Sequence, residues 1–376
     1  MATNRTTQRK KKRKGNDNSL YVAIALIVIA FSVLGVIILM SITNHFSSNE
    51  ANSSEDVSDI SEISSILSEN VSENSFNNES SEQNTSAKSG WVEENGNKFY
   101  FENGNPVYGI KEIDGKKYIF TNEGMLSGGW NDFQGNTYYL NSDGSAHIGF
   151  LELDNEIYYL RENGTLAKGE QEIDGKKYFF TSKGKSVIMV NPWNYVPDGY
   201  DVNLVTLPSN RGDQTKGKVD KSCYEPLLNM LNDCVKAGNS VYVISGHRTY
   251  QYQENNFNRS VNSYISQGYS KEDAIAKTAT EIAVPGTSEH HLGLAVDIID
   301  TADWSLSENQ ANLKGQQWLM ENCWKYGFIL RYPKNKTNET GIIYEPWHYR
   351  YVGTELAKEL YELDMTLEAY IESITN

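Results

Sequence analysis

The stretch Ser288-Glu289-His290-His291-Leu292-Gly293-Leu294-Ala295-Val296-Asp297 sets imidazoles and a carboxylate close together, in small-residue surroundings that read as a loop entering a strand. About fifty residues later Glu345-Pro346-Trp347-His348 adds a second carboxylate and another imidazole. Two imidazoles and one carboxylate form a three-ligand shell for a catalytic zinc, whose open fourth position binds water and lowers its pKa to about 7. A spare carboxylate beside such a shell can take the water proton and later hand it to a leaving amine, the role that Glu345 would fill. Spacing alone does not choose between the adjacent His290 and His291. The aromatic run Trp347, Tyr349 and Tyr351 favours a strand, so Glu345 and His348 reach one cavity only if the backbone turns at Pro346. Arg248 closes the apolar run 240–245, where its guanidinium is suited to a substrate carboxylate or a developing oxyanion.

Elements able to position these groups are legible from about residue 188 onward. Glu225 to Ala237 reads as an amphipathic helix with Pro226 in its first turn and Gly238 as its stop. A helix is expected from Gln251 to Gln267, and another from Lys271 to Ile282 opening on the capping box Ser270 to Asp273. The His/Asp segment follows, then a helix from about Asn309 to Tyr326 stopped by Gly327, a strand from Phe328 to Tyr332, and the strand carrying His348. Strands and helices mingle without regular alternation, which argues for an α+β domain over 188–376.

Residues 90–187 repeat. Gly104, Gly124, Gly144, Gly164 and Gly184 recur every 20 residues, and short aromatic strands such as Tyr138-Tyr139-Leu140 and Tyr158-Tyr159-Leu160 follow turns such as Asp114-Gly115 and Gln134-Gly135. Each unit is a hairpin too small to hold itself together, so the five units must stack into a solenoid. Ser182-Lys183-Gly184-Lys185 has the Ser-x-x-Lys spacing of serine acyl-transfer enzymes, but it falls in a repeat turn without the partner motifs that chemistry needs.

The N-terminal part delivers rather than reacts. The 376-residue chain carries a formal net charge of -15. Arg5, Arg9, Lys10, Lys11, Lys12, Arg13 and Lys14 concentrate positive charge in the segment 1–19. The remainder is therefore strongly acidic, which argues against nucleic-acid binding. Residues 20–42 form an uncharged, almost wholly apolar run long enough to cross a bilayer as a helix. Its basic flank keeps the N-terminus in the cytoplasm, and no small-residue cleavage site follows, so a retained single-pass anchor is expected. Residues 43–89 are rich in Ser, Asn and Glu and read as a disordered tether. Among the three cysteines, Cys223 and Cys234 share a helical face about 16 Å apart and are read as buried apolar residues, not a disulfide.

The repeats resemble the choline-binding and glucan-binding cell-wall repeats of Gram-positive surface proteins, whose units open with Gly-Trp. Trp91 and Trp130 keep that position, while Ile110, Phe150 and Glu170 depart from it. The resemblance implies aromatic cages for a quaternary ammonium, with Trp91, Trp130, Tyr139 and Tyr159 as candidates, and attachment to wall polysaccharide or teichoic acid. The same aromatics also suit the core of the solenoid.

Over most of 190–360 a second resemblance holds. Ser288-x-His290-x-x-Gly293-x-Ala295-x-Asp297 and Glu345-Pro346-Trp347-His348-Tyr349-Arg350-Tyr351-Val352-Gly353 resemble the VanY-type zinc D-alanyl-D-alanine carboxypeptidases. Ser245-Gly246-x-Arg248 with Gln253, and Tyr326-Gly327-Phe328-x-x-Arg331-Tyr332-Pro333, extend the likeness. It implies a hedgehog/D-Ala-D-Ala peptidase-like α+β fold and one zinc ion held by His290, Asp297 and His348, which leaves His291 as a neighbour. Glu345 would be the base, with Arg248, Ser288, Gln253 and Trp347 holding substrate. The expectation is a membrane-anchored, wall-associated enzyme facing outward and trimming terminal D-Ala from peptidoglycan stem peptides. L,D-carboxypeptidase action on tetrapeptides, endopeptidase action within the stem, and a wall-binding scaffold with an inactive peptidase domain are the alternatives.

Overall fold

The computed structural model describes residues 88–208 and 217–375; the basic tail, the apolar run 20–42 and the tether up to residue 87 lie outside them. Among the described residues no helix is long and apolar enough to cross a membrane.

Every repeat closes on two residues of positive φ: Asn95-Gly96, Asp114-Gly115, Gln134-Gly135, Asp154-Asn155 and Asp174-Gly175. This is the hairpin turn whose twist matches that of the flanking strands, which is why Asn, Asp and Gly recur there. A lone hairpin leaves one face bare, so successive units cover one another. The Ala146 amide donates to the Lys117 carbonyl at 2.7 Å and the Leu166 amide to that of Thr137 at 2.8 Å, stitching each unit to the next. Ile119, Tyr138 and Leu140 are buried in one such junction, and Ala167, Ile173 and Phe180 in another. At Gly184, φ is +77° and an added Cβ would lie 2.6 Å from the Leu166 side chain, so the period-20 glycine meets both a backbone and a space requirement.

The second region is built on a four-stranded antiparallel sheet in the order Val241–Ser245, Ala295–Asp300, His348–Tyr351, Phe328–Leu330. Ala295–Asp300 is central and buried at every position. Helix Lys221–Lys236, capped by the Asp220 carboxylate on the Ser222 amide, lays Leu227, Met230 and Leu231 against Val243, Val296, Ile298 and Phe328. Each such side chain removed from water contributes about 1.5–3 kcal/mol before entropy is counted. Cys223, Cys234 and Cys323 all lie in the same core, and none of them forms a disulfide. Helices Tyr250–Ser266 and Lys271–Glu281 pack on each other through Phe257, Val261 and Ala274, and Ser270 caps the second as its sequence predicts.

The single helix expected from Asn309 to Tyr326 is broken into a 3-10 turn Glu308–Asn312, an α-helix Lys314–Asn322 and a second 3-10 turn Cys323–Tyr326. The break follows from Asp300 at the end of the central strand. Its Oδ2 accepts the Gly315 amide at 2.8 Å, while Gln310 folds back so that its Oε1 accepts the Asp300 amide at 2.9 Å. A periodic sequence does not reveal that a carboxylate from elsewhere restarts the helix at Gly315.

Helices Thr354–Leu363 and Leu367–Thr375 close the chain and pack Leu356, Leu360, Tyr370 and Ile371 against Phe179 of the fifth repeat and Met189 just after it. The Ser182 hydroxyl donates to Glu359 at 2.9 Å and its amide to the Tyr370 hydroxyl at 2.9 Å. The last repeat and the sheet domain thus share one core.

Candidate metal centre and its cavity

His290 lies in the 3-10 turn Glu289–Leu292, which Gly293, at φ +69°, redirects into the central strand. Asp297 stands on that strand directly opposite His348 on its neighbour, so one cross-strand pair supplies two of the candidate ligands. A bulge between Val243 and Ser245 sets Ser245 opposite Asp297 and turns the chain toward Arg248, the kind of re-aiming that bulges provide beside sites. Glu345 precedes the strand at the turn expected around Pro346, where the His348 amide donates to the Glu345 carbonyl at 3.2 Å.

One donor atom each from His290, Asp297 and His348 lies within 4.8 Å of the others, and all three residues are buried. Asp297 Oδ1 is 3.4 Å from His290 Nε2 and 3.3 Å from His348 Nδ1. Nδ1 of His290 is 2.7 Å from the Gly246 carbonyl. A carbonyl only accepts, so Nδ1 carries the proton and Nε2 presents its lone pair to Asp297. His290 Nε2 and Asp297 Oδ1 have no hydrogen-bond partner. A buried lone pair facing an unpartnered carboxylate oxygen is costly unless a cation joins them, and the N/O donor set suits zinc.

The electrostatics agree. Burial, with Arg248 adding to it, pushes His290 down to about 4, so the imidazole stays neutral and able to ligate. Burial also acts to lower His348, but Asp297, Glu289 and Glu345 outweigh it and hold the ring well above the ordinary histidine range. Three carboxylates around one ring favour positive charge there, a field that a dication satisfies better than a proton. Burial would raise Asp297, yet His290 and Arg248 keep it well below the ordinary carboxylate range. Glu345, 3.4 Å from His348 Nδ1 through its Oε2, is raised by burial, with His348 opposing. A carboxylate moved toward neutrality is suited to exchange protons with water.

These groups open on a cavity of about 360 Å³ lined by Arg248, Gln253, Ser288, His290, Asp297, Glu345, Trp347 and His348, together with the apolar Ile282, Ala283, Ile342 and Ile343. All the residues singled out from the second resemblance therefore face one space. Arg248 donates from Nε to Ser245 Oγ at 2.9 Å and from Nη2 to Asp297 Oδ2, leaving Oδ1 of that carboxylate toward the two histidines. Gln253 is 1% exposed; its Nε2 donates to the Ala283 carbonyl at 2.8 Å and its Oε1 takes Arg248 Nη1 at 3.5 Å. Its geometry thus supports the guanidinium as much as a ligand. His291 has both ring nitrogens engaged, with Nδ1 2.8 Å from the Arg248 carbonyl and Nε2 accepting the Gly286 amide at 3.3 Å. It is a structural neighbour, as the ordered motif implied.

Sequence reasoning quoted Arg331, Tyr332 and Arg350 within the motifs but gave no role to them or to Glu289. Glu289 is fully buried beside His290, with Arg331 Nε at 2.8 Å and Arg350 Nη1 at 2.9 Å from its Oε1. Burial acts to raise it, and the two guanidiniums overcome that and hold it ionised. Tyr332 is buried with its ring centroid 4.7 Å from that of His348. The available signal was an arginine at the end of the apolar run Phe328-Ile329-Leu330 and another within the aromatic run Tyr349-Arg350-Tyr351, since a buried guanidinium demands a buried carboxylate.

In the repeats, Trp91 meets Tyr100 and Tyr118 with ring centroids 5.3 and 4.9 Å away, and Trp130 meets Tyr139 and Tyr158 at 5.1 and 5.0 Å. Phe150 completes a third triplet with Tyr159 and Tyr178 at 4.9 and 5.1 Å, although it departs from the Gly-Trp pattern. Trp91, Trp130 and Phe150 are 43%, 41% and 45% exposed, so these rings are not absorbed into the core. Ile110 and Glu170 leave the second and fifth units without such an aromatic.

An α+β domain with an antiparallel sheet, holding a buried His-Asp-His set beside a cavity-facing carboxylate, has the site of a metal-dependent hydrolase. The D-alanyl-D-alanine carboxypeptidase family (VanY) matches residues 216–354, and the cell wall binding repeat family matches 89–105 and 128–146. A D-alanyl-D-alanine carboxypeptidase of Enterococcus faecalis is 42% identical over 190 residues, 50% of this chain and 66% of that protein. A Bacillus subtilis protein described as "Putative carboxypeptidase YodJ" is 35% identical over 191 residues, 50% of this chain and 67% of that protein. Among solved structures, a zinc-bound vancomycin-resistance D,D-pentapeptidase VanY is 38% identical, with 49% of this chain and 97% of that one covered and a TM-score of 0.44. The chain belongs to the VanY D-alanyl-D-alanine carboxypeptidase family, and it spans about two thirds of the length of these two curated relatives.

Proposed function

We propose that the protein is a zinc D-alanyl-D-alanine carboxypeptidase that removes the terminal D-Ala from peptidoglycan stem peptides, held at the wall by its repeats. The observation that carries this reading is the convergence of His290 Nε2, Asp297 Oδ1 and His348 Nδ1 in a buried pocket that Glu345 shares. A zinc ion held there would act as a Lewis acid on the scissile carbonyl and its attacking water. Glu345 takes the proton of that water and returns it to the departing D-Ala amine, so the group ends each turnover as it began. Arg248 is the one Arg or Lys lining the cavity among the described residues. Its Nη1 makes only a 3.5 Å contact with Gln253, which leaves it available to a substrate carboxylate. Ile282, Ala283, Ile342 and Ile343 supply apolar wall for alanine methyl groups. Ser288 and Trp347 also line it.

The three aromatic triplets support retention on a wall polymer carrying quaternary ammonium or sugar faces. The basic tail and the apolar run 20–42 support a single-pass anchor with the body outside the cell, and the acidic tether 43–89 gives it reach.

The test is mass spectrometry of defined tri-, tetra- and pentapeptide muropeptides after incubation with the protein. Loss of one alanine from the pentapeptide, abolished by a chelator and restored by zinc, is expected. Loss from the tetrapeptide instead would make it an L,D-carboxypeptidase, cleavage inside the stem an endopeptidase, and no cleavage of any of them a binding scaffold.

A further inference from the structure

Behind His348, on the side away from the cavity, lies a chain of buried charge that the reaction does not use. Glu289 Oε2 faces His348 Nε2 at 3.8 Å, an ion-pair distance, and neither atom has a hydrogen-bond partner. Oε1 of the same carboxylate accepts Arg331 Nε at 2.8 Å and forms an ion pair with Arg350 Nη1 at 2.9 Å that lacks hydrogen-bond geometry. Arg331 is in turn gripped through both terminal nitrogens by Glu368, with Nη1 to Oε2 at 2.8 Å and Nη2 to Oε1 at 2.5 Å. Glu368 stands in the first turn of the C-terminal helix Leu367–Thr375. The network also reaches the segment leaving the fifth repeat, because Asn191 Nδ2 donates to Glu368 Oε1 at 2.9 Å and Arg350 Nη2 to the Ile188 carbonyl at 2.9 Å. Two carboxylates and two guanidiniums balance in charge. Removing one member leaves an uncompensated buried charge, so the set acts as a unit.

A ligating histidine is held in orientation by what its other ring nitrogen faces, and a carboxylate there also raises its basicity. His348 turns Nδ1 toward Asp297, so Nε2 is the nitrogen so held. Glu289 can hold it only if its own carboxylate is fixed. Two short contacts fix Oε1 and leave Oε2 directed at the ring.

We propose that Glu368 of the C-terminal helix is a remote positioning residue of the metal centre, acting through Arg331 and Glu289 on the orientation of His348, and that Asn191 ties the end of the repeats to the same carboxylate. The inference rests on His348 being a zinc ligand, as the proposed function holds. The C-terminal helix is then part of the site's support, not merely a lid on the last repeat.

The experiment measures zinc affinity of the full chain by competition with a chromophoric chelator, alongside the cobalt(II) absorption spectrum, for wild type, Glu289→Gln, Glu368→Gln and Glu368→Asp. Glu289→Gln is expected to weaken zinc binding by about 10- to 100-fold, the range for carboxylates behind a ligand. Glu368→Gln should weaken it by a smaller factor, on the order of 3- to 10-fold, and should alter the cobalt spectrum in the same sense. Glu368→Asp, which keeps the charge, should recover part of the loss. If Glu368→Gln lowers the melting temperature but binds zinc with wild-type affinity and an unchanged cobalt spectrum, the residue is only structural and the inference falls. Should Glu368→Gln not fold, wild-type zinc affinity in the folded Glu289→Gln would overturn it equally. If wild type binds zinc no better than His290→Ala, the metal reading itself fails and takes the inference with it.

Discussion

At the scale of single residues, Arg248 shows how one side chain is divided between two tasks. Its Nη2 holds Asp297 Oδ2 and its Nε holds Ser245, so that only Nη1 faces outward to Gln253 and the cavity. Arg248→Lys keeps a charge but not the planar fork, and one ammonium cannot serve Ser245, Asp297 and a substrate carboxylate together. The expected result is a fall in kcat/KM of about 10- to 100-fold, roughly 1.4–2.8 kcal/mol of lost stabilisation, measured by D-alanine release. The candidate ligands were legible because His290, Asp297, Glu345 and His348 occur in an ordered motif whose residue types have few uses together. Spacing left His290 and His291 equivalent, and the structure separates them by showing His291 with both nitrogens already engaged. Glu289 was not legible, since a glutamate next to a histidine reveals nothing until Arg331 and Arg350 are brought to it from more than forty positions away.

Among the elements, the helix Lys271–Glu281 was read within a residue at each end because Ser270 caps it, whereas the helix expected from Glu225 starts four residues earlier at Lys221, where Asp220 caps it, and carries Pro226 in its interior. The break in 308–326 was not legible, because Asp300 caps it from the sheet. The hairpin units were fully periodic in sequence, down to the paired positive-φ turns. Their third aromatic triplet was not expected, because Phe150 stands where Trp usually does and its partners Tyr159 and Tyr178 come from different units. Trp130→Ala removes one face of the second triplet and should reduce sedimentation with purified walls while leaving D-alanine release from a soluble peptide unchanged. Equal sedimentation would place wall binding at other residues. Gly184→Ala meets both the positive φ and the Leu166 side chain at 2.6 Å. It is expected to cost about 1–3 kcal/mol and lower the melting temperature of the last repeat and the sheet domain together.

For the molecule as a whole, the boundary drawn from composition near residue 187 does not separate two cores. Phe179 and Met189 lie in one cluster with Leu356, Leu360 and Tyr370, and Ser182 bonds to Glu359 and Tyr370. Composition could not show this, because a repeat that ends a solenoid has the same sequence period as one in its middle but a different neighbour to cover. Deleting 90–168 removes four repeats and leaves this junction intact, so it should abolish wall sedimentation and spare hydrolysis of a soluble pentapeptide. Deletion through residue 187 should in addition destabilise the sheet domain, seen as a lower melting temperature. The proposed division of labour, with repeats for retention and the sheet domain for chemistry, stands on that contrast.

The proposed hydrolysis depends most directly on Glu345, which shares the pocket with the three donor atoms yet is not needed to hold a metal. The decisive measurement is D-alanine release from a pentapeptide by wild type and Glu345→Gln, with bound zinc quantified in each. The expected outcome is one zinc per chain in both proteins, and turnover in the variant lower by on the order of 100- to 10,000-fold, the range for removing a general base. A zinc-loaded Glu345→Gln that releases D-alanine at the wild-type rate would contradict the assignment of base and site together.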